Sequence, residues 1–360
     1  MVNICFRVDA GKKIGMGHLM ESIVLADSLK KRKDCNILFL TKNFSPAVNI
    51  LKEKNYHVKK LDKDISEEKE IDIILKFIKK SNIEILICDL LNKNTDYFQT
   101  LKDSSQLLVV ILDDDKHGAI PGDIVVNFSI AQNKKFYKKF SKSKALYCID
   151  PEYMLLPEIL HKEWKKKKRI SEISKTIFIN QGGEDPHGLT SKIIKSLELL
   201  DLKQKIIVVV GHAVSSKHRK ELRSLESQLK NVYQFEWDVT QGQMYKFMAE
   251  SDIAITAAGN TLYELAIFGV PSIVIGHHKL HDTVAQIFAR KNAVINLGIG
   301  TDIPKELIAD SLKDLLGNKK KRVSLSKNAK RITDGLGSER LSKIITSTSI
   351  DKSNMRKMAL

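Results

Sequence analysis

A glycine-bounded loop with one histidine follows the first apolar segment of the chain. Arg7 and Asp9 end that segment, and the order Gly15-Met16-Gly17-His18 comes next. Glycines between a strand and a helix let the backbone approach a ligand closely, and the amino end of a helix favours an anion. An imidazole there can accept a proton near neutral pH. We therefore predict that His18 and Asp9 are catalytic and that Arg7, Gly15 and Gly17 contact substrate. The alternative is an exposed histidine beside an ordinary turn.

Two further glycine turns in the second half follow apolar segments in the same way. Gly182–Gly183 is the first, and Gly259 opens the second. Backbone N–H groups of such turns can bind phosphate, and Asn260 or Thr261 can cap a helix or donate to phosphate. Glu264, one turn further on, could accept hydrogen bonds from two ribose hydroxyls. Plain turns, a capping arrangement and a surface glutamate are the alternatives.

Two further clusters contain residue types that can bind metals, but they are weaker evidence for a functional site. Asp113–Asp115 ends an apolar segment, where a divalent cation or simply a polar strand end would explain the carboxylates. His277, His278, His281 and Asp282 do not have the spacing of a zinc site. Because they follow a strand end, we predict that His281 contacts the ligand. No metal and no cofactor are predicted.

The elements that must position these residues alternate between strands and helices. Apolar runs predict strands at Val2–Val8, Asn36–Leu40, Glu84–Cys88, Leu107–Leu112, Thr176–Asn180, Lys205–Val210, Tyr233–Phe235, Asp252–Thr256 and Pro271–Ile275. Continuous apolar strands are typical of sheets covered on both faces, and helices between them indicate parallel pairing. Ligands of such sheets bind beyond the carboxyl ends of the strands.

The rhythm of strands and helices stops once, between residues 150 and 175, where charged residues dominate. We therefore predict an amino-terminal Rossmann-like domain at 1–150, a linker at 151–175, a second Rossmann-like domain at 176–346 and a flexible tail at 347–360. The fold class is α/β, with two doubly wound domains that face each other across a ligand-binding cleft.

The charge and composition exclude several classes of protein. The net charge is +17, with short basic runs at Lys165–Arg169 and Lys319–Arg322, but no nucleic-acid-binding motif accompanies them. Solvated faces, or an anionic membrane surface, explain these runs without nucleic acid. No apolar run spans a bilayer, so no stable membrane insertion is predicted. Four scattered cysteines are typical of reduced thiols and a cytoplasmic location.

Several segments, taken together in order and spacing, resemble one family. They are FRVDAGKKIGMGHLMESIVLA, ILDDD, YMLL, NQGGEDPHGLT, SDIAITAAGNTLYELAIFGVPSIVI and ITDGLGSER. Over roughly residues 3–346 the chain is similar to the UDP-2,4-diacetamido-2,4,6-trideoxy-β-L-altropyranose hydrolases of pseudaminic acid biosynthesis. That family is related to spore-coat polysaccharide biosynthesis proteins.

The resemblance implies a glycosyltransferase-B fold in which UDP binds mainly to the second half. It implies that water attacks the anomeric carbon, with His18 as base, and that Glu264 meets the ribose. Two positions depart from the family pattern. Glu21 stands where an arginine is usual, and Leu280-His281 stands where an Asn-Gln pair is usual. The first departure reverses a charge next to the predicted base, and we count Glu21 among the substrate-contacting residues.

The sequence therefore predicts a metal-independent hydrolase that releases UDP from an acetamido-deoxy sugar in surface polysaccharide biosynthesis. A glycosyltransferase of the same fold is the first alternative. A nucleotide-sugar-binding subunit without activity is the second. The expected partners are the UDP-sugar and, beside it, other sugar-biosynthesis enzymes.

Overall fold

The computed structural model describes residues 2–358 with gaps at 12–13, 33–34, 105, 114–120, 133–135, 138–144 and 230–231. From residue 350 to residue 358 it describes the backbone alone. The chain divides into two compact units. The first consists of Met1–Glu158 and Gly335–Leu360, and the second of Ile159–Asp334.

Seven parallel strands form the sheet of the first unit, in the order β3-β2-β1-β4-β5-β6-β7. They are β1 Val2–Val8, β2 Cys35–Lys42, β3 His57–Leu61, β4 Ile85–Asp89, β5 Leu108–Leu112, β6 Ile124–Asn127 and β7 Leu146–Ile149. In the register of the two central strands, Val8 pairs with Asp89. The carboxyl ends of β1 and β4 therefore lie side by side, which brings the residues after them together.

Six parallel strands form the sheet of the second unit, in the order β10-β9-β8-β11-β12-β13. They are β8 Thr176–Asn180, β9 Lys205–Val210, β10 Tyr233–Trp237, β11 Ile253–Thr256, β12 Ser272–Gly276 and β13 Ile295–Ile299. The central strands β8, β11 and β12 are neighbours. The loops that follow them therefore share one edge of the sheet, as the sequence predicts for ligand-binding loops.

Helices alternate with these strands. They are α1 Gly17–Lys30, α2 Ser45–Glu53, α3 Glu67–Lys80, α4 Thr95–Asp103, α5 Ile159–Lys165, α6 Leu189–Leu197, α7 Ser216–Gln228, α8 Gln241–Glu250, α9 Asn260–Phe268, α10 Lys279–Arg290, α11 Lys305–Gly317, α12 Lys319–Ala329 and α13 Gly337–Met358. A short 3₁₀ helix covers Pro151–Tyr153. None of the described helices is both long and apolar enough to cross a bilayer.

The cores lie on the faces of the two sheets. All residues of β4 and β5 are buried, as are those of β11 and β12. Their continuous apolar sequences leave neither face of the sheet to solvent, which is the property that the sequence predicts for a parallel sheet covered by helices. The α/β class and the parallel pairing are confirmed.

The structure divides the chain differently from the sequence prediction. The segment predicted as a linker at 151–175 contains α5, which belongs to the second unit. The chain returns to the first unit at Gly335, so α13 packs on α1 instead of ending the second domain. A side chain at Gly337 would lie 2.2 Å from the backbone oxygen of Met154, so glycine permits this return. The predicted tail at 347–360 continues α13 up to Met358.

Four strands are absent from the sequence prediction, namely β3, β6, β7 and β13. Two have only four residues, and β3 alternates irregularly between exposed and buried positions at the edge of its sheet. β13 is half-buried and forms one edge of the second sheet. Short or edge strands lack the continuous apolar run that identifies a central strand.

Candidate functional site

His18 lies in the first turn of α1 and is held by a carboxylate from the neighbouring strand end. Its Nδ1 is 2.7 Å from Oδ1 of Asp89, the last residue of β4. The other carboxylate oxygen of Asp89 accepts a hydrogen bond from Ser22 Oγ at 3.1 Å. The Asp89 side chain is 2% exposed, whereas that of His18 is 15% exposed. When Nδ1 donates to the carboxylate, Nε2 becomes the proton-accepting nitrogen of the ring.

Asp89 is a candidate functional residue that the sequence does not predict. A single aspartate at the end of the apolar run Ile85–Cys88 is the signal that could have found it, because β4 and β1 end at the same edge. The run of three aspartates at Asp113–Asp115 points instead to the end of the next strand, β5.

Glu21 joins His18 and Asp89 in one cluster. One potential ligand atom from each of the three residues lies within 4.8 Å of the other two. Glu21 is only 7% exposed, one turn after His18 on α1. A negative side chain therefore lies beside the predicted base, where the family pattern has a cation. An imidazole and two carboxylates are also a donor set that divalent cations accept.

Arg7 and Asp9 belong to a buried ion-pair network. The fully buried Arg7 guanidinium donates to both oxygens of Asp9, at 2.6 and 2.7 Å, and to Glu70 Oε1 at 2.8 and 3.0 Å. Asp9 also accepts from the backbone N–H of Lys42 at 2.8 Å. Glu70 accepts a further bond from the Tyr97 hydroxyl at 2.8 Å.

The network fixes the charge of Asp9. Burial raises the pKa of the Asp9 carboxyl, but the hydrogen bonds and charge of Arg7 outweigh it and hold the pKa below the ordinary value. The structure thus places Asp9 and Arg7 in a brace between β1, α3 and the start of the loop. His18 is paired with Asp89 and not with Asp9, and the catalytic role of Asp9 stays a prediction.

The predicted glycines of the first loop shape its turn. Gly11 and Gly15 exchange backbone hydrogen bonds at 2.8 and 3.1 Å, and Gly15 has a φ of +84°, which side-chain-bearing residues rarely adopt. Among the residues that the structure describes, a β-carbon on Gly17 would meet nothing within 4 Å, so the space beside this residue at the helix start is open. Open space at the amino end of α1 is what a bound ligand would need.

In the second unit, the loop after β8 is built by its own polar side chains. Asn180 Oδ1 accepts from the Gly182 backbone N–H at 3.0 Å, and Gly182 has a φ of +82°. A β-carbon on Gly182 or Gly183 would meet nothing within 4 Å. The side-chain amide of Gln181 is 2% exposed, and neither its nitrogen nor its oxygen has a hydrogen-bond partner among the described residues. Buried amides are normally paired, so this one is ready for a ligand or water.

The second predicted glycine turn leads from β11 into α9. Gly259 is the N-cap of α9, and no side chain caps the helix. Of the two roles considered for Asn260 and Thr261, helix capping is contradicted, because both residues already lie inside the first turn, and donation to phosphate stays a prediction. A β-carbon on Gly259 would meet nothing within 4 Å. Among the described residues, the space beside Gly259 at the start of α9 is therefore open.

Glu264 is half-buried in the second turn of α9 and touches one hydrogen-bond donor from α8. Its Oε1 accepts from the Tyr245 hydroxyl at 3.2 Å. Burial raises the pKa of the Glu264 carboxyl to about 7, although the Tyr245 hydrogen bond lowers it. A carboxylate kept in a dry environment with few donors is poised to accept hydrogen bonds from hydroxyl groups of a ligand.

His281 lies in a group of histidine rings after β12. Ring centroids lie 4.0 Å apart for His278 and His281, 5.7 Å for His277 and His281, and 5.9 Å for His187 and His277. His277 Nε2 contacts the backbone oxygen of Gln181 at 2.9 Å, which ties this group to the loop after β8. Burial, followed by the neighbouring rings, lowers the pKa of His281 to about 4. The ring is therefore neutral at physiological pH.

Asp113 is the described member of the predicted Asp113–Asp115 cluster, and the other two lie outside the described residues. It is 2% exposed and accepts a hydrogen bond from the Tyr137 hydroxyl at 2.6 Å. Asn127 donates to the same hydroxyl oxygen at 3.1 Å. Asp113 therefore takes part in a buried hydrogen-bond network at the carboxyl end of β5.

The architecture defines the class of protein. The structure of Acinetobacter baumannii MurG superimposes with a TM-score of 0.71 at 13% identity, over 96% of this chain and 100% of that one. The chain therefore has the GT-B glycosyltransferase fold, as expected from the sequence. The model of the glycosyltransferase family 28 C-terminal domain matches residues 176–341, which carry β8 to β13 and the glycine turns between them.

Two curated relatives cover most of the chain. The spore coat polysaccharide biosynthesis protein SpsG of Bacillus subtilis is 27% identical over 353 residues, 94% of this chain and 96% of the relative. The UDP-2,4-diacetamido-2,4,6-trideoxy-beta-L-altropyranose hydrolase of Campylobacter jejuni is 24% identical over 292 residues, 81% of this chain and 97% of the relative. The chain is thus a GT-B-like protein whose relatives include enzymes named for UDP-sugars.

Proposed function

We propose that this protein is a hydrolase that releases UDP from a UDP-activated acetamido-deoxy sugar. The second unit binds UDP, and the first unit supplies His18 as the base. The single observation that carries the proposal is the hydrogen bond of 2.7 Å between His18 Nδ1 and Asp89 in front of an open helix start. The name of one relative supports a role in surface polysaccharide biosynthesis, and the name of the other supports hydrolysis of a UDP-sugar. Pseudaminic acid biosynthesis is what the family resemblance implies.

In this reaction, His18 Nε2 takes a proton from a water molecule whose oxygen attacks the anomeric carbon. The bond between that carbon and the phosphate oxygen breaks, and UDP leaves with the electron pair. Because the transition state has oxocarbenium character, a weak nucleophile needs only modest activation. Asp89 holds the ring in the tautomer whose Nε2 is the proton acceptor and stabilises the imidazolium that forms.

UDP binding is assigned to the loops after β8 and β11. The amino end of α9 and the backbone N–H groups at Gly182–Gly183 and Gly259 supply donors for the pyrophosphate, with Thr261 in the first turn. The unpaired side-chain amide of Gln181 offers further polar contacts. Glu264 accepts hydrogen bonds from the ribose hydroxyls.

A glycosyltransferase that passes the sugar to an acceptor is the second candidate. The match of residues 176–341 to a glycosyltransferase family domain favours it. The same base would then deprotonate an acceptor hydroxyl in place of water. Product analysis separates the two, because a hydrolase yields free sugar and UDP without any acceptor.

The experiment is incubation with a panel of UDP-sugars, followed by NMR detection of free sugar and its anomeric configuration. His18→Asn should keep UDP affinity and lower the turnover number at least about 100-fold, since one positioned base contributes about 10²- to 10⁴-fold. A folded His18→Asn enzyme that retains more than about a tenth of normal turnover would reject His18 as the base. UDP release that requires an acceptor would replace the hydrolase by the transferase.

A further inference from the structure

A cavity of about 570 Å³ lies within the second unit, formed by the segment around α5 and by α12. Seven of its eleven lining residues are cationic, and none is acidic. They are Lys165, Lys166, Lys167, Lys168, Arg169, Lys327 and Lys330. Trp164, Ile170 and Val323 add apolar surface. This basic pocket contains none of the residues that the proposed function uses.

The walls of the basic pocket are fixed by hydrogen bonds to the backbone. Trp164 Nε1 donates to the Lys330 carbonyl at 2.8 Å. Lys168 Nζ donates to the carbonyls of Ala249 and Ser251 at 2.8 and 2.7 Å. The buried Arg322 of α12 donates to four carbonyls, two of which belong to Ser171 and Glu172, directly after the lining residue Ile170. The pocket is therefore a formed feature and not a chance gap between mobile lysines.

The cations of the basic pocket are poorly neutralised. Within the described part of the chain, no ion pair involves Lys165, Lys167, Arg169 or Lys327. Lys166 contacts Glu163 at 2.7 Å, outside the lining. Burial lowers the pKa of Lys168, and the nearby Lys330 lowers it further against the opposing effect of Asp252. Like charges gathered in one concave site raise its potential and attract an anion.

We propose that the basic pocket binds a phosphate group carried on an organic body. Ammonium and guanidinium groups on the rim would contact the phosphate oxygens. The indole of Trp164 and the side chains of Ile170 and Val323 would contact the body of the ligand. A volume of about 570 Å³ is of the size that holds a small organic molecule and exceeds what inorganic phosphate would fill. A soluble phosphate ester and the headgroup of an anionic lipid share this chemistry.

The fluorescence of Trp164 can report ligand binding in the basic pocket. The chain has two tryptophans, so a Trp237→Phe background leaves Trp164 as the only indole fluorophore. The probes are glycerol 3-phosphate, inorganic phosphate, and vesicles of phosphatidylcholine with or without phosphatidylglycerol. We expect saturable fluorescence changes with one of the two organophosphate sources. Changes with glycerol 3-phosphate identify a soluble ligand, and changes with phosphatidylglycerol vesicles alone identify a lipid headgroup.

A charge-matched pair of variants tests the site itself. Lys167→Glu with Lys327→Glu should weaken binding of the active probe at least about tenfold. Lys217→Glu with Lys220→Glu, exposed on α7, changes the net charge equally and should alter binding less than about twofold. UDP affinity should be the same in both variants, which keeps this test independent of the proposed function. An equal loss in the two pairs, or no response to any organophosphate, would overturn the proposal.

Discussion

At the scale of single residues, the chemistry proposed for the first unit depends on the hydrogen bond between His18 and Asp89. Both oxygens of Asp89 are engaged, one by the imidazole and one by Ser22. That arrangement orients the Asp89 carboxylate and makes Nε2 the proton-accepting nitrogen of the ring. Glu21 adds a second carboxylate to the same cluster.

Asp89→Asn tests this arrangement. The amide cannot accept from Nδ1–H as strongly as the carboxylate and does not stabilise the imidazolium, so turnover should fall by about 10²- to 10⁴-fold. Ser22→Ala should cost far less, because it removes one neutral hydrogen bond. Turnover numbers and UDP affinities of both variants provide the measurement. We also expect normal turnover in EDTA.

Two results would contradict this prediction. Equal losses in Asp89→Asn and Ser22→Ala would mean that Asp89 only supports the local structure. Loss of turnover in EDTA, restored by magnesium or manganese, would mean that His18, Glu21 and Asp89 hold a cation instead.

Glu264→Gln should stabilise the folded protein and weaken its binding of UDP. The folded pKa of about 7 lies above the unfolded value of 4.5, so the folded state binds the proton more tightly. The stability linked to this proton is fully present below pH 4.5 and is lost as pH rises through 7. At pH 8 the glutamine variant should therefore be more stable by about 1–3 kcal/mol, with a smaller gain at pH 5.

If Glu264 contacts the ribose, the same substitution should weaken UDP binding. Glu264→Gln should weaken UDP affinity by about 10- to 100-fold at pH 8, since hydrogen bonds to a charged group contribute about 1.5–3 kcal/mol. Calorimetry with UDP and thermal unfolding at pH 5 and 8 measure both effects. Glu250→Gln, exposed at the end of α8, is the matched control. An unchanged UDP affinity would remove Glu264 from the ribose site.

At the scale of elements, the central strands and the glycine turns were predictable because each carries a local signal. β1, β4 and β8 are continuous apolar runs, and the turns after β1, β8 and β11 contain glycines. The partner of His18 could not be predicted with the same ease. Its position depends on the register between β1 and β4, which is a tertiary property.

The return of the chain to the first unit was missed for a related reason. The segment from Gly335 to Gly337 looks like any helix start, and only its contact with the Met154 backbone reveals where α13 packs. The grouping of histidine rings after β12 is a third feature that could not be predicted from the sequence. Their sequence spacing matched no metal site, and the structure brings in His187 from a distant loop.

Gly337→Ala tests the entry of α13. The added β-carbon would lie 2.2 Å from the Met154 backbone oxygen, so backbone must shift. We expect a loss of about 1–3 kcal/mol in stability, typical of overpacking. Gly317→Ala at the end of α11 is the control, because its β-carbon would meet nothing within 4 Å. Denaturant unfolding compares the two variants, and equal stabilities would show that the contact yields without cost.

At the scale of the whole molecule, the two units differ in how the chain builds them. The second is one continuous segment with its own sheet and core. The first needs two segments, because Leu341 and Ile345 of α13 are fully buried and Ser338 accepts a hydrogen bond from Ser28 of α1 at 3.1 Å. Along the chain, the second unit is therefore inserted between the two segments that form the first unit.

Truncation after residue 334 should therefore damage the first unit alone. Burial of Leu341 and Ile345 contributes about 1.5–3 kcal/mol for each side chain, and their removal leaves an apolar face of α1 in water. We expect amides of α1 to exchange with deuterium at least about 100-fold faster in the 1–334 chain. The fragment 159–334 should fold by itself and bind UDP with the affinity of the full chain. Leu341→Ala in the full chain is the milder variant, with an expected loss of about 2–5 kcal/mol. Unchanged exchange in α1 after truncation, or a second fragment that fails to fold, would contradict this division of the chain.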